Sequence, residues 1–206
     1  MNETAKKSGA GEIVRLIVVL GLITLVCALL LGVVNQVTAP LIEQNDIKVR
    51  NAAMQELIPD ATSFDDMGVS MSAEDVAAAG VTLPAGRSAA AISGVYKAVK
   101  DGEELGYCIQ VQPKGFGGAI TMIVGIGADG TVAGAKVTAH GETPGLGAKA
   151  QTDAAWIAQY AGQPADGQLQ VSKDGGTINA ITGATISSRA ITDGVNTAAQ
   201  YVATLG

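Results

Sequence analysis

Residues 16–34, LIVVLGLITLVCALLLGVV, make a run of 19 positions without a charge, and no charged residue follows until Glu43. As a helix rising about 1.5 Å per residue, such a run covers ~28 Å, close to the ~30 Å hydrocarbon core of a bilayer. A cleaved secretory signal needs a shorter apolar core, roughly 7 to 15 residues, ending in a small-x-small site. Here the core is longer, and the nearest such site, Val37-Thr38-Ala39, runs into Pro40. The expectation is an uncleaved transmembrane helix over residues 13–36. Lys6, Lys7 and Arg15 precede its uncharged run, which starts at Leu16, and Lys48 and Arg50 follow, so the positive-inside rule places residues 1–12 in the cytoplasm and the remainder outside.

Charge then excludes one class of partner. The part after the span holds 10 Lys+Arg, the 13 of the chain less Lys6, Lys7 and Arg15, against 17 Asp+Glu, the 19 less Glu3 and Glu12. Nucleic-acid binding demands a basic footprint, and an acidic domain in a chain only 3% aromatic does not offer one. Cys27 lies inside the span and Cys108 in a later strand candidate, so no disulfide framework is expected. His140 is the single histidine, and no Cys/His cluster has metal-ligand spacing.

Residues 37–92 read as a juxtamembrane helix and a variable region. Pro40 opens the helical segment and Pro59 ends it; beyond it, acids, alanines, Gly80, Pro84 and Gly86 alternate without a period, with a short helix at residues 73–79. From residue 93 the pattern turns to period two. VYKAVKDGEELGYCIQVQ reads as strand, Asp101-Gly102 turn and strand; residues 120–126 and 132–137 repeat the form around Asp129-Gly130. AKAQTDAAWIAQY reads as helix, LQV at 169–171 as a short strand, and Ile191, Val195, Ala198, Val202 and Leu205 form one stripe of a last helix starting near Ser187. The fold class is α+β: an antiparallel sheet with flanking helices, preceded by one N-terminal transmembrane helix.

Two loops carry more glycine and proline than a connection needs: HGETPGLG at 140–147 and TGAT at 182–185. In the second, Gly183 admits close backbone approach and Thr185 presents a hydroxyl beside a helix N-terminus, which attracts anions and phosphate above all. The plain alternative is that Thr185 or Ser187 is an ordinary N-cap. In the first, Pro144 fixes a turn, Gly145 and Gly147 are free to take positive φ, and Leu146 is placed to lie against a flat ring. The alternative there is a rigid connector with His140 and Glu142 as a solvated pair. A Ser/Thr-His hydrolase is disfavoured, because the Gly-x-Ser-x-Gly elbow is missing and the only histidine lies 45 positions before Thr185.

The two loops in this order, after two glycine-turned hairpins, resemble the FMN-binding domain shared by the RnfG subunit of the Rnf electron-transport complex and the NqrC subunit of the sodium-pumping NADH:quinone reductase. The motifs span residues 94–195, and KGFGG at 114–118 is similar to the family's glycine-rich turn. The resemblance implies FMN held by a phosphoester on Thr185, with Thr182, Gly183 and Ala184 completing the attachment loop. It implies ring contacts from Glu142, Thr143, Leu146 and Gly147, with His140 beside them. A separate flavin transferase would install the cofactor, so the hydroxyl needs no base of its own. Asn179 departs from the pattern, which commonly has an acid there. The implied role is a redox relay in ferredoxin/NAD-linked electron transfer coupled to Na⁺ or H⁺ translocation. No complete active site lies in this chain. The implied setting is the cell (inner) membrane, among lipid and the other membrane and peripheral subunits of an Rnf complex, with residues 93–206 as an extracytoplasmic FMN-binding domain. Two alternatives stand: the NqrC subunit of the sodium pump, whose members are longer, and a non-redox anchored binding module in which TGAT only caps a helix.

Overall fold

The computed structural model describes residues 8–205, leaving the side chains of residues 8–10 and of residue 85 aside; the cationic Lys6 and Lys7 lie outside the described residues. Two compact units divide between Lys48 and Val49.

The described residues of the first unit are helical. α1 (Ser8–Leu57) is 50 residues long and contains Pro40 in its interior. The expected break at Pro40 does not occur. Proline removes one backbone donor from the ladder, a local loss that a long helix absorbs, and Thr38 just ahead of it returns its hydroxyl to Val34 O at 2.9 Å. The portion from Gly11 onward is long and apolar enough to cross a membrane. Leu16, Leu20, Leu25 and Leu31 are all at least 60% exposed, the all-round apolar surface of a helix that suits lipid.

The second unit is built on a five-stranded antiparallel meander in the order β1-β2-β3-β4-β5. Its strands are β1 (Ser63–Asp66), β2 (Ala91–Lys100), β3 (Glu103–Gln112), β4 (Thr121–Gly127) and β5 (Val132–Ala139). The β2–β3 turn is the expected Asp101-Gly102 pair, with Asp101 at φ 53°. In the β4–β5 turn, Asp129 Oδ1 accepts from the Thr131 amide at 3.0 Å and hydroxyl at 2.8 Å. β1 was not expected. Its sequence, SFDD, has no apolar alternation, and it is recruited by pairing Ser63 with Val99 through Asp66 with Tyr96 at the sheet edge.

Period-two alternation sends side chains to two faces, and both are covered. Val95, Ile109, Val111, Met122 and Val124 belong to the larger core, which α5 (Thr185–Ala203) closes with Ile191, Val195 and Ala198. Burying each of these larger aliphatic side chains contributes about 1.5–3 kcal/mol. A Cβ at Gly194 would stand 3.0 Å from Met122 Sδ, so the missing side chain lets α5 settle against the sheet. The opposite face presents Tyr96, Ala98, Cys108 and Ile123 to Ala53 and Met54 of the α1 end and to Ile58. Burial there pushes the Cys108 thiol up to about 12, which leaves it an inert core residue.

Two expected elements are broken up. AKAQTDAAWIAQY is not one helix but α3 (Lys149–Thr152), α4 (Ala154–Ile157) and a 3-10 turn, Ala158–Tyr160. Asp153 interrupts it at extended φ/ψ, and its side chain accepts from the Trp156 amide as the cap of α4. LQV is no sheet strand either. Asn196 of α5 grips Leu169 on both backbone atoms, at 2.9 and 2.7 Å, and Val171 makes an isolated parallel bridge to Ile178. A short helix, α2 (Ala73–Ala78), matches expectation and carries a capping box from Ser72 and Asp75.

Candidate functional site

The start of α5 is positioned from below by hydroxyls. Ser188 Oγ accepts from the Ile181 amide at 2.9 Å and donates to Ala184 O at 3.0 Å, which ties both ends of the TGAT loop to the first helical turn. Ser188 O in turn accepts from Thr192, whose hydroxyl meets Tyr160 Oη at 2.8 Å in the core. Above this brace, Gly183 sits at φ 78°, a conformation glycine adopts without strain. The loop thereby turns tightly onto the helix.

Neither expected cap is the cap. The N-cap position is Ala184, which has no side-chain acceptor, and Thr185 is the first helical residue. The leading amides of α5 therefore keep their partial positive charge without a side-chain cap. Thr185 is half-buried, and its Oγ1 accepts from Lys173 Nζ at 3.0 Å. Ser187 turns away from a capping role and donates to Glu142 Oε2 at 2.5 Å.

That last bond joins the two glycine-rich loops. Glu142 is 6% exposed, and its second oxygen, Oε1, accepts from the Gly117 amide at 2.9 Å. Its own amide donates to His140 Nδ1 at 3.1 Å. The notion of His140 and Glu142 as a solvated pair is thus corrected: the carboxyl is an internal clamp between the KGFGG turn and α5. A Cβ on Gly117 would overlap Gly141 O, so that turn packs backbone to backbone on the HGE segment. Gly145 takes positive φ at 77°, and Gly147 does not; Gly147 is required because a Cβ would collide with Glu142 Oε2 and Ser187 Oγ.

Together these elements enclose a cleft of about 330 Å³. It is lined by the buried Glu142 and Ser187, by Gly183, Ala184 and Thr185 of the TGAT loop, and by Thr143, Leu146 and Gly147. Phe116 and Ile186 form the lip, 70% and 53% exposed, with Leu146 at 42%. The volume falls in the range of small-molecule sites, and exposed apolar side chains around a few fixed polar groups are what such sites present. Of the eight expected site residues, seven line this cleft; Thr182 is exposed and lies outside its lining. Phe116, Ile186 and Lys173 were not singled out from the sequence. Phe116 lay within the quoted KGFGG turn, whereas nothing in the spacing of Lys173 pointed to Thr185, twelve positions on.

Lys173 sits on a 3-10 turn, Ser172–Asp174, fastened by charge. Arg189 Nε donates to Asp174 Oδ2 at 2.9 Å, and Arg87 reaches the same oxygen at 2.7 Å. The Arg189 hydrogen bond, with burial opposing it and Arg87 adding to it, holds the Asp174 carboxyl below its ordinary range. Asp193, one turn further along α5, goes the other way: burial pushes it up to about 6, against the pull of Arg87 3.4 Å away.

The comparisons with known proteins bear on this same segment. An FMN-binding domain family matches residues 115–200, from the KGFGG turn into α5, and an RnfG N-terminal region family matches residues 1–57. The RnfG-type subunit of the Na⁺-translocating ferredoxin:NAD⁺ oxidoreductase complex of Acetobacterium woodii is 34% identical over 192 residues, covering 90% of this chain and 89% of the relative. The chain belongs to the RnfG family of ion-translocating oxidoreductase complexes. A second RnfG-type relative, from the proton-translocating ferredoxin:NAD⁺ oxidoreductase complex of Clostridium ljungdahlii, is 30% identical and covers 88% of this chain and 89% of its own. A solved structure of the NqrC-type subunit of Na⁺-translocating NADH-quinone reductase from Parabacteroides distasonis is 25% identical, covers 56% of this chain and 63% of that one, and superposes with a TM-score of 0.46. As an RnfG protein, the chain joins an FMN-binding domain to one helix suited to a membrane anchor.

The cleft meets the requirements of such a cofactor. A phosphate needs cationic or amide donors, which the uncapped α5 terminus and Lys173, bonded to Thr185, supply beside the cleft. A flat aromatic ring needs apolar walls, and Leu146, Phe116 and Ile186 line the same cleft.

Proposed function

We propose that this RnfG protein carries FMN in a phosphoester on Thr185 and relays electrons through it. The observation that carries the reading is that Thr185 is the first residue of a helix without a side-chain cap, at the end of a cleft walled by the Glu142–Gly147 loop. FMN supplies reversible one- and two-electron chemistry, and this chain supplies its place and surroundings. Leu146 and Phe116 are set to exclude water from a ring lying between the loops. The α5 amides and Lys173 offset the remaining phosphodiester charge. Glu142 keeps the two loops at fixed separation, which electron transfer over a defined distance requires.

Attachment needs an activated phosphate, because a monoester does not condense with a hydroxyl in water. Thr185 Oγ1 forms one P–O bond to the flavin phosphate of a flavin dinucleotide and the diphosphate P–O bond breaks. The nucleoside monophosphate leaves, and the hydroxyl proton passes to a base on a separate flavin transferase. Within the complex, the protein serves ferredoxin/NAD-linked transfer coupled to Na⁺ or H⁺ movement, as the names of its relatives describe for them. The α1 segment anchors it in the cell membrane with the domain after residue 93 extracytoplasmic, among the other membrane and peripheral subunits.

The test is denaturing electrophoresis and peptide mass analysis of the full chain expressed with a flavin transferase. The expected result is a fluorescent band in the wild type with FMN mass on the Thr185 peptide, and none in Thr185→Ala at unchanged folding. The Thr185 hydroxyl caps nothing, so its loss leaves α5 intact. Full FMN mass on the Ala variant moves the attachment elsewhere, and a wild type without flavin favours a non-redox binding module.

A further inference from the structure

We propose that Lys173 is the positioning and phosphate-binding side chain of the attachment site, a role that rests on Thr185 carrying the flavin phosphoester. Lys173 Nζ donates to Thr185 Oγ1 at 3.0 Å from a separate turn. Among the described residues Lys173 makes no salt bridge, although it lies in an acidic part of the chain. Its neighbours hold the turn without it. Asp174 is bonded to Arg189 and Arg87, and a Cβ on Gly176 would overlap Gln170 O, so the backbone there is tightly packed. The ammonium is delivered to Thr185 by structure whose own charges are paired elsewhere.

The geometry serves both ends of the transfer. Before it, the ammonium occupies a lone pair of Oγ1, fixes the hydroxyl and leaves its proton free for a base on the transferase. During it, the new P–O bond to Thr185 forms as the diphosphate bond breaks, and the ammonium lies against the phosphoryl oxygens as they shed the nucleoside monophosphate. Afterwards one negative charge remains on the phosphodiester, facing Lys173 and the α5 amides. A lysine suits this sequence, since its point charge on a flexible stem follows the phosphate as the bonds change.

The experiment uses the full chain in detergent micelles, purified flavin transferase and a flavin dinucleotide, with covalent FMN read by intact mass and by peptide mapping. Wild type is compared with Lys173→Ala, Lys173→Gln, Lys173→Arg and the surface control Lys149→Gln. The Ala and Gln variants should load at least tenfold more slowly, the low end for losing a hydrogen bond to a charged group. Arg should recover most of the rate, Lys149→Gln all of it, and thermal midpoints should stay together. Raising salt should bring the wild-type rate toward that of Gln, because exposed charges are screened. Wild-type rates in Ala and Gln overturn the proposal. So does a slowdown that Arg does not repair and that comes with a lowered midpoint, which makes Lys173 structural. A wild type with no flavin on the Thr185 peptide overturns the attachment reading itself, and this outcome is distinct because it appears before any variant is compared.

Discussion

Ser187 and Glu142, 45 positions apart, share a buried hydrogen bond of 2.5 Å that locks the helix of the TGAT loop to the HGETPGLG loop. The same carboxyl holds the Gly117 amide. Glu142→Ala therefore strands the buried Ser187 hydroxyl, at about 1–3 kcal/mol for an unsatisfied buried group, while the Gly117 amide, on an exposed residue, turns to water. The expected loss is about 1–3 kcal/mol, which at roughly 2–4 °C per kcal/mol for a domain of this size is a measurable fall in thermal midpoint. Glu142→Gln keeps an acceptor for Gly117 and should lose less than half as much. A Glu142→Ala midpoint equal to wild type would reduce the clamp to a contact without consequence.

Gly145 and Gly147 separate two reasons for a glycine. Gly145 has positive φ and open space beyond it, so Gly145→Ala incurs only the left-handed penalty of about 1–2 kcal/mol. Gly147→Ala drives a methyl into Glu142 and Ser187 and must displace the wall of the cleft. In the FMN-loaded chain, Gly147→Ala should change flavin anisotropy and reduction potential, and Gly145→Ala should leave both near wild type. Equal behaviour of the two would mean that the ring is held away from this loop.

The contrast between these glycines also marks how far the sequence could be read. Both hairpins were legible because Asp-Gly turns and period-two alternation are local signals, and the α5 stripe was legible for the same reason. β1 was not, since an edge strand such as SFDD takes its register from β2 rather than from its own pattern. The helix expected over residues 148–160 failed at Asp153, which caps α4 rather than continuing a helix. In the site, motif residues were found because they are contiguous. The clamp of Glu142, the requirement at Gly147 and the Lys173–Thr185 bond are contacts between segments, and only the fold brings those together.

Asp193 gives a pH signature. Burial raises its folded pKa to about 6 from an ordinary value of 3.8, so between those values the folded chain holds a proton that the unfolded chain has released. Its contribution to stability is therefore full at low pH and declines as pH rises through about 6. Asp174 runs opposite: its lowered pKa contributes above the ordinary value and is lost as pH falls. Comparing Asp193→Asn with wild type isolates the first effect. The variant should gain on wild type by on the order of 2 kcal/mol between about pH 4 and pH 7.5, from about 1.4 kcal/mol per pKa unit reduced for solvent screening of a partly open group. Thermal midpoints at the two pH values read this directly, and a gap that does not change with pH would place Asp193 in an environment more open than the structure gives it.

Asn179 stands where the family resemblance implies an acid, and the structure separates its backbone from its side chain. The Asn179 amide donates to Gln159 Oε1 at 2.8 Å, and its carbonyl accepts from Trp156 Nε1 at 2.6 Å and Gln159 Nε2 at 3.2 Å. The residue is thus fixed in place through its main chain. Its side chain is exposed and makes no hydrogen bond among the described residues, so it is available to a protein approaching Thr185 from solvent. Asn179→Asp is nearly isosteric and breaks none of the backbone bonds, and the fold should be indifferent to it, within about 0.5 kcal/mol as for other surface changes. Any effect then belongs to the transferase step. If an acid at this position is read by the transferase, Asn179→Asp should raise the initial rate of covalent FMN incorporation several-fold, about 1 kcal/mol in the barrier, at an unchanged thermal midpoint. Asn179→Ala should leave the rate at or below that of wild type. Identical rates for Asn, Asp and Ala would show that the transferase does not read this side chain.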